Sequence, residues 1–451
     1  MPPRNDKSDT VSPPTKELLG TLSEGSTGGE VQPSRRANGN AQKQGSSVFS
    51  VWQILRIKAF RGFWIAGLFS LIGSWMQNIG SAWLMTDLSS SPFLVAMTQS
   101  AQMVPMIFLA FIAGALADMV DRRRYMIGVM CWMITITLTL AALTYMNLIT
   151  PFWLIFFTLL LGIGGACQMP AMSAAIQDIV PRAEVVNAVT LNSLSMNISR
   201  LIGPAAAGLL IGLGGVAPAF LVNAISYLIF MGVVYYWEGP PMRPQQRQGL
   251  WSNISAGIRY VRRAKRFQAV LIRGSFHFFC ASAVMALFPL LARNELNVDP
   301  EAFGILMGAV GVGAIVTALF IAPWVNARYS RDQIVLCAGL ILALSLYGVG
   351  VVRDVRYFSV VLFFYGGSWM ICMLSFQVAS QMVLPSWVRA RGLSVSMMSF
   401  TAGMVSGGLI WGALAQVVTM ETVFEIAAGV MVIATLTTAR YSISSNKTED
   451  A

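Results

Sequence analysis

Long runs of apolar residues recur along nearly the whole chain and constrain its fold more than any other feature. Each run holds roughly twenty residues, which is enough to cross about 30 Å of hydrocarbon as an α-helix. Only 11% of the 451 residues are charged, whereas a soluble domain carries about a quarter. The runs are too long for strands and do not alternate apolar with polar residues. The sequence therefore predicts an all-α integral membrane protein.

Twelve transmembrane helices are predicted, six in each half of the chain. Those in the first half span residues 62–86, 93–117, 125–147, 151–175, 187–212 and 217–237. Those in the second half span residues 267–291, 303–325, 332–352, 357–381, 392–418 and 421–439. An even number of spans puts both chain termini on the same side of the membrane.

These spans divide the chain into two predicted six-helix bundles, residues 48–237 and 267–440. Residues 1–47 are rich in Ser, Gly, Pro, Asn and Gln and contain too few bulky apolar residues to fold alone. They are predicted to form a disordered cytoplasmic tail, and residues 441–451 form a second, short cytoplasmic tail.

The linker between the bundles, residues 238–266, contains a predicted amphipathic helix. Its apolar residues Trp251, Ile254 and Ile258 recur at helical spacing opposite Arg259 and Arg262. The helix is interpreted as an anchor on the inner membrane surface, and phospholipid binding is the alternative interpretation.

The distribution of basic residues predicts the orientation, because such residues are retained on the cytoplasmic side. They cluster in the linker and in the loops on the side of the N-terminus, around Arg122, Arg328 and Arg389. The opposite loops hold only Arg293, Arg353 and Arg356. Both termini are therefore predicted to be cytoplasmic, in a multi-pass protein of the cell (inner or plasma) membrane.

Several functional classes are disfavoured by the sequence. The net charge of +11 does not indicate nucleic-acid binding, because the basic residues sit in short clusters between apolar runs. All five cysteines lie within those runs without CxxC spacing, which argues against a disulfide framework or a metal site. No GxxxxGK[ST] loop, HExxH pair, Ser/His arrangement or carboxylate cluster is present, so neither a cofactor nor enzymatic activity is expected.

The two halves repeat weakly. Gly203, Pro204 and Gly208 in the fifth span reappear as Gly407, Gly408 and Gly412 in the eleventh, at an offset of 204 residues. Two six-helix repeats of the same orientation are typical of alternating-access transporters with a site between the halves.

The loop after the second span carries a specific motif. Gly114 is followed by Asp118 four residues later, and then by Arg122 and Arg123. This motif resembles the signature of the major facilitator superfamily, in which the Asp contacts the start of the eleventh helix. The resemblance implies a conformational latch, formed in one state and broken in the other, with Asp178 as a partner for the arginines. The alternative is that the arginines serve only to set the orientation of the chain in the membrane. The motif is incomplete in two respects, since Asp121 replaces the usual Gly and the matching loop of the second half lacks the acid.

Two further segments extend the resemblance. The stretch containing Gly203, Pro204 and Gly208 is similar to part of the motif that marks the antiporters of the superfamily, where Pro allows a helix bend. Ordinary close packing of small residues is the alternative. The segments Leu384 to Gly392 and Gly403 to Gly412 resemble the exporter subfamily that contains the bacterial enterobactin exporter and macrolide efflux proteins. This wider resemblance, over residues 50–440, implies export driven by protons moving inward.

Charged and polar residues within the spans are candidates for the translocation pathway. Arg200 lies near the middle of the fifth span, where it would bind an anionic substrate, respond to a migrating proton or pair structurally within the bundle. His277 is interpreted either as a proton carrier or as a packing residue. The other candidates are amide and aromatic side chains: Gln77, Asn78, Gln168, Asn192, Asn197 and Trp369.

The sequence thus predicts a monomeric transporter, with a small amphiphilic molecule as substrate and protons as coupling ion. A siderophore, an antibiotic or another metabolite would fit this description. A phospholipid flippase and an uptake carrier of the same fold remain as alternatives.

Overall fold

The computed structural model describes residues 52–239, 264–385 and 388–443, without the side chains of residues 110–119 and 390. The predicted tail at 1–47, the amphipathic linker helix and residues 444–451 of the second tail lie outside the described residues. The side chains of Gly114 and Asp118 lie outside them as well.

Helices account for nearly all of the described residues, which contain no strand. The first half comprises α1 (Lys58–Leu88), α2 (Pro92–Met119), α3 (Arg122–Tyr145), α4 (Pro151–Ile179), α5 (Val185–Gly214) and α6 (Ala217–Tyr236). The second half comprises α7 (Lys265–Asn294), α8 (Pro300–Arg328), α9 (Arg331–Val351), α10 (Val355–Val383), α11 (Arg389–Leu414) and α12 (Met420–Thr438). A turn of π-helix at Thr317–Ile321 interrupts α8.

Eleven of these helices are long and apolar enough to cross a membrane, with mean hydropathies between 1.3 and 2.4 in their most apolar stretches. The exception, α1, has 31 residues and is therefore about 46 Å long. Its hydropathy is lower because it carries Ser70, Ser74, Gln77 and Asn78. These four side chains are buried or half-buried, so α1 turns its polar groups towards protein.

Polar caps explain where several helices begin. Asp121 precedes α3 and accepts a hydrogen bond from the backbone N–H of Arg124 at 2.8 Å. Asp299 caps α8 in the same way, and Ser330 forms a capping box with Gln333 at the start of α9. The Asp that replaces Gly in the signature motif thus has a local role, because its carboxylate accepts a hydrogen bond from a backbone N–H in the first turn of α3.

The two halves pack in corresponding ways. In the first half α1 packs against α5 and α6, α2 against α4, and α3 against α4 and α6. In the second half α7 packs against α11 and α12, α8 against α10, and α9 against α10 and α12. Between the halves, α2 packs against α11 and α5 against α8.

One end of the bundle carries the α1–α2 and α7–α8 turns and is called the Asp87 end. The opposite end carries the α2–α3 and α4–α5 turns and is called the Asp178 end. Near the Asp87 end α5 and α8 touch through glycines, since a Cβ on Gly304 would lie 2.6 Å from the carbonyl oxygen of Pro204 and 3.0 Å from Cα of Gly208. Gly208 and the backbone of Pro204 from the predicted helix-bend motif therefore lie in the contact between the halves, whereas Gly203 packs against Trp75 of α1.

Candidate functional site

A cavity of about 500 Å³ lies between the two halves. The first half lines it with α1, α2 and α5, and the second half with α7, α8, α10 and α11. The lining extends to Gln381 and Leu393, near the last turn of α10 and the first turn of α11. The cavity therefore runs from the middle of the bundle towards the Asp178 end.

Most of the lining is apolar and deformable. Methionine thioethers are polarisable and flexible, so a wall built from them can adapt to ligands of several shapes. The methionines are Met103, Met106, Met285, Met307, Met373, Met397 and Met404, and the aromatic residues are Trp75, Phe278, Phe303, Trp369 and Phe400.

Arg200, on α5, is the one charged residue among the described residues that line the cavity. Its guanidinium carbon lies 5.6 Å from the centre of the Trp75 ring, in a cation–π contact. Its side chain forms no hydrogen bond or ion pair within the described part of the chain. The cavity thus contains a permanent cation with an aromatic ring at its side.

Amide groups of α1 and α2 form the second polar feature of the lining. The Asn78 amide donates to the side-chain oxygen of Gln99 at 3.2 Å and to that of Gln102. Asn78 lies one turn after Trp75, on the same face of α1. Arg200 and this amide pair thus come from the first half, whereas the second half contributes uncharged polar groups such as Ser282, Gln377 and Thr401 to the lining.

At the Asp87 end the halves are joined by a set of contacts that we call the Asp87 gate, formed by Trp83, Thr86, Asp87, Arg293 and Phe303. Arg293 of α7 forms an ion pair with Asp87 of α1 and donates to the Thr86 hydroxyl at 3.2 Å. Its guanidinium lies 5.8 Å from the Trp83 ring, which contacts Phe303 with ring centres 5.2 Å apart. The gate thus joins the two halves at this end of the cavity.

Three predicted pathway residues line the cavity, namely Arg200, Asn78 and Trp369. Gln77 does not; it is buried within the first half, where it accepts hydrogen bonds from Thr137 at 3.3 Å and from Asn223.

The remaining amide candidates also lie away from the central cavity. Asn197 donates to the backbone oxygen of Ser193 in its own helix at 2.9 Å. Asn192 borders a small pocket between α1, α4 and α5, and Gln168 is half-buried on α4.

His277 is packed inside the second half. It is 2% exposed, and its ring centre lies 5.6 Å from that of Phe278 and 5.9 Å from that of Phe376. Neither ring nitrogen has a hydrogen-bond partner among the described residues. Arg273, one turn earlier on α7, forms an ion pair with Asp332. Among the described residues, the surroundings of His277 therefore contain a nearby cation but no carboxylate that is hydrogen-bonded to the ring.

At the Asp178 end, Arg122 of α3 forms an ion pair with Asp178 of α4. Arg123 donates to the backbone oxygen of Tyr235. In the second half Arg331 occupies the first position of α9, as Arg122 does in α3, but its guanidinium contacts the sulfur of Met382. Arg331 thus contacts a methionine sulfur at the position where Arg122 contacts a carboxylate.

Sequence reasoning missed several lining residues and the Asp87 gate. Gln377 and Gln381 both line the cavity, and their spacing of four residues in an apolar helix was a usable signal for a shared polar face. The gate pair, Asp87 and Arg293, joins residues that are distant in sequence, so no local pattern could have indicated it.

Comparison with known families gives one match that covers most of the chain. The family described as "Transmembrane secretion effector" matches residues 49–451. The staphyloferrin A transporter of Staphylococcus aureus is 23% identical, over 64% of this chain and 72% of the relative. Macrolide efflux protein A of Streptococcus pyogenes is 24% identical, over 63% and 70% of the two chains. The enterobactin exporter of Escherichia coli is 25% identical, over 64% and 70%.

Solved structures give the same fold at lower identity. The nucleoside transporter NupG is 16% identical, with a TM-score of 0.69 over 86% of this chain and 99% of its own. A D-xylose–proton symporter is 12% identical, with a TM-score of 0.65 over 86% and 97%. These relatives and neighbours are transporters rather than enzymes.

Proposed function

The chain belongs to the transmembrane secretion effector family of major facilitator transporters, and on that premise we propose that it exports small amphiphilic molecules by alternating access. The central cavity is the observation that carries this proposal. It combines an adaptable apolar wall with a few polar groups, which is the composition expected of a site for amphiphilic ligands. Siderophores, antibiotics and other metabolites are the proposed substrate range, in keeping with the names of the relatives.

The proposed architecture has twelve transmembrane helices in two six-helix repeats. The corresponding packing of α1–α6 and α7–α12 supports the repeat, because each main contact of one half has a counterpart in the other. The contact of α2 with α11 likewise corresponds to the contact of α8 with α5, because α8 is the counterpart of α2 and α5 is the counterpart of α11. In this architecture α1 is a transmembrane helix in addition to the eleven more apolar helices, and its polar side chains face protein rather than lipid.

The Asp178 end is proposed to be cytoplasmic, with both termini on that side. Arg122, Arg123 and Arg124 lie at this end, whereas the Asp87 end carries only Arg293, Arg353 and Arg356 in its loops. The cavity then faces the cytoplasm, and the closed Asp87 gate faces outward. Such a state would load its substrate from inside the cell.

Proton antiport is the proposed energy source, on the strength of the family resemblance. The described cavity lining contains no Asp or Glu, so the proton would bind outside this lining. The proposed latch comprises Gly114, Asp118, Arg122, Arg123 and Asp178. The ion pair of Arg122 with Asp178 supports one part of it.

Export is tested with purified protein in liposomes and in a bacterial host that lacks its main efflux pumps. Inverted vesicles carrying the protein should accumulate a siderophore or a macrolide when their lumen is acidified, and should release protons as they do so. Accumulation that does not respond to the pH gradient would remove the antiport proposal. The absence of export for every compound in a panel of amphiphiles would remove the exporter proposal.

Two alternatives are separated by the same liposomes. A phospholipid flippase would expose fluorescent lipid from the inner leaflet to a reducing agent added outside. An uptake carrier would move the substrate out of the inverted vesicles rather than into them. A size measurement of the detergent-solubilised protein tests the proposed monomer.

A further inference from the structure

We propose that the exported molecule is an amphiphilic anion whose acid group binds Arg200 in the first half and whose apolar body lies against the methionine and aromatic wall of the second half. This inference rests on the proposed exporter function and adds the charge and the orientation of the substrate. It also predicts that transport carries negative charge across the membrane.

The charge of the substrate follows from Arg200. A guanidinium stays protonated at any physiological pH, and a cation in a water-poor interior is unfavourable unless an anion balances it. Among the described residues no carboxylate lines the cavity, and the side chain has no ion pair. An acid group on the substrate would supply the missing negative charge.

The geometry of the site favours a planar acid. The Arg200 guanidinium lies over the Trp75 ring, with 5.6 Å between the guanidinium carbon and the ring centre. Its N–H donors form no hydrogen bond within the described part of the chain, so they are available to a ligand. Those donors match the two oxygens of a carboxylate in a bidentate pair.

The polar end of the ligand site lies on the first half. Asn78 follows Trp75 by one turn, and its amide holds the side-chain oxygen of Gln99. This contact leaves the N–H groups of the Gln99 amide available to an oxygen of the ligand. Arg200 and Gln99 can therefore bind the same acid group or its neighbouring polar atoms.

The apolar body of the ligand would meet the second half. In the middle of the cavity α7, α8 and α10 present Met285, Met307 and Met373 together with Phe278 and Trp369. These side chains offer apolar and aromatic contacts but no formal charge. The cavity of about 500 Å³ is of the size that holds small organic ligands.

The orientation has an electrical consequence. Export of a monoanion moves negative charge outward, so the inside-negative potential of a cell favours it directly. A potential of about 120 mV favours a gradient of about 100-fold for one charge. If a proton moves inward in the same cycle, the two charge movements add.

A matched pair of probes tests the charge requirement: 2-naphthoxyacetate and its neutral amide. They have the same aromatic body and differ in charge. Binding is measured by equilibrium dialysis against the full-length protein in lipid nanodiscs, with empty nanodiscs as the blank. We expect the acid to bind at least tenfold more tightly than the amide.

The variants Arg200→Gln and Arg200→Lys connect this preference to one side chain. Arg200→Gln should reduce the ratio of the two affinities to within about twofold, and Arg200→Lys should keep part of it. Arg356→Gln, which removes an exposed arginine outside the cavity, should retain the full ratio. Because each protein is compared on two probes, a general loss of folded protein lowers the bound amount of both probes by the same factor and leaves the ratio informative.

Transport of the acid is then measured in liposomes under an imposed potassium potential. Efflux through the protein should accelerate severalfold when the vesicle interior is negative, and slow when it is positive. Equal binding of acid and amide, no binding of the acid, a ratio unchanged in Arg200→Gln, or efflux independent of potential would each overturn the proposal. Export of a neutral amphiphile at a rate independent of Arg200 would overturn it too, while leaving the exporter function intact.

Discussion

The ion pair of the Asp87 gate gives a prediction about conformational equilibrium. Asp87 and Arg293 lie on different halves, so their contact must break when the cavity opens at this end. Their side chains are 40% and 38% exposed, and a pair with this exposure contributes about 0.5–1 kcal/mol. Asp87→Asn should therefore increase the ratio of open to closed molecules at this end by about two- to fivefold.

Arg293→Gln should have a larger effect. It removes the ion pair, the hydrogen bond to Thr86 and the cation–π contact with Trp83, and the last of these adds about 0.5–1 kcal/mol. The sum of about 1–2 kcal/mol corresponds to a change of about 5- to 30-fold in the equilibrium. In the double variant Asp87→Asn/Arg293→Gln the change should equal that of Arg293→Gln alone, because the ion pair is already lost.

The assay is a distance measurement between spin labels at Tyr145→Cys and Tyr357→Cys in a cysteine-free background. Tyr145 and Tyr357 are 82% and 69% exposed, at the Asp87 end of the first and second half respectively. Salt should raise the open population of the parent protein and have little effect on Asp87→Asn, because ions screen an exposed pair. Unchanged populations in both single variants would refute the idea that this contact holds the gate closed.

Three further variants test other parts of the proposed mechanism. Asp118→Asn keeps the shape of the side chain but removes its charge, so it should impair transport in vesicles while membrane insertion and folding stay normal. Asp178→Asn breaks the ion pair with the first residue of α3 and should lower transport severalfold, whereas Met382→Leu at the corresponding position of the second half should change it less than twofold. Gly304→Ala places a Cβ 2.6 Å from a backbone oxygen of α5 and should lower transport at least tenfold; Gly128→Ala, with no atom within 4 Å, should not.

The sequence was sufficient to predict the helices, and eleven of the described helices are long and apolar enough to cross a membrane, because such a segment is encoded locally by about twenty apolar residues. The ends of the predicted spans differ from the observed helices by a few residues where a capping residue sets the start of the helix. The tenth span, for example, was predicted at 357–381, whereas α10 is Val355–Val383 and begins after the cap Asp354. The signature arginines were also predictable, and Arg122 pairs with Asp178 in the structure.

The cavity lining was predictable only in part. A polar residue in the middle of a span can face a cavity, another helix or a buried polar partner, and sequence spacing does not distinguish these cases. Arg200 and Asn78 face the cavity, whereas Gln77, the neighbour of Asn78, turns towards Asn223 of α6. His277 lies on the face of α7 that packs against Phe376 of α10. The difference depends on how each helix is rotated about its axis, which is set by packing between helices.

The energies of the ion pairs at the two ends suggest how the halves can move as rigid bodies. Arg273 and Asp332 join α7 to α9 within the second half, and Arg273 also donates to the backbone oxygen of Tyr441 at 3.0 Å. The side chains of Arg273 and Asp332 are 2% and 23% exposed, so this pair is shielded from water more than the gate pair, and separating it would leave the buried Arg273 without its counter-charge. The gate pair between the halves is exposed and costs about 1 kcal/mol or less to break. In the proposed alternating-access cycle, opening of the gate would therefore disrupt the exposed ion pair between the halves and leave the more buried ion pair within the second half intact.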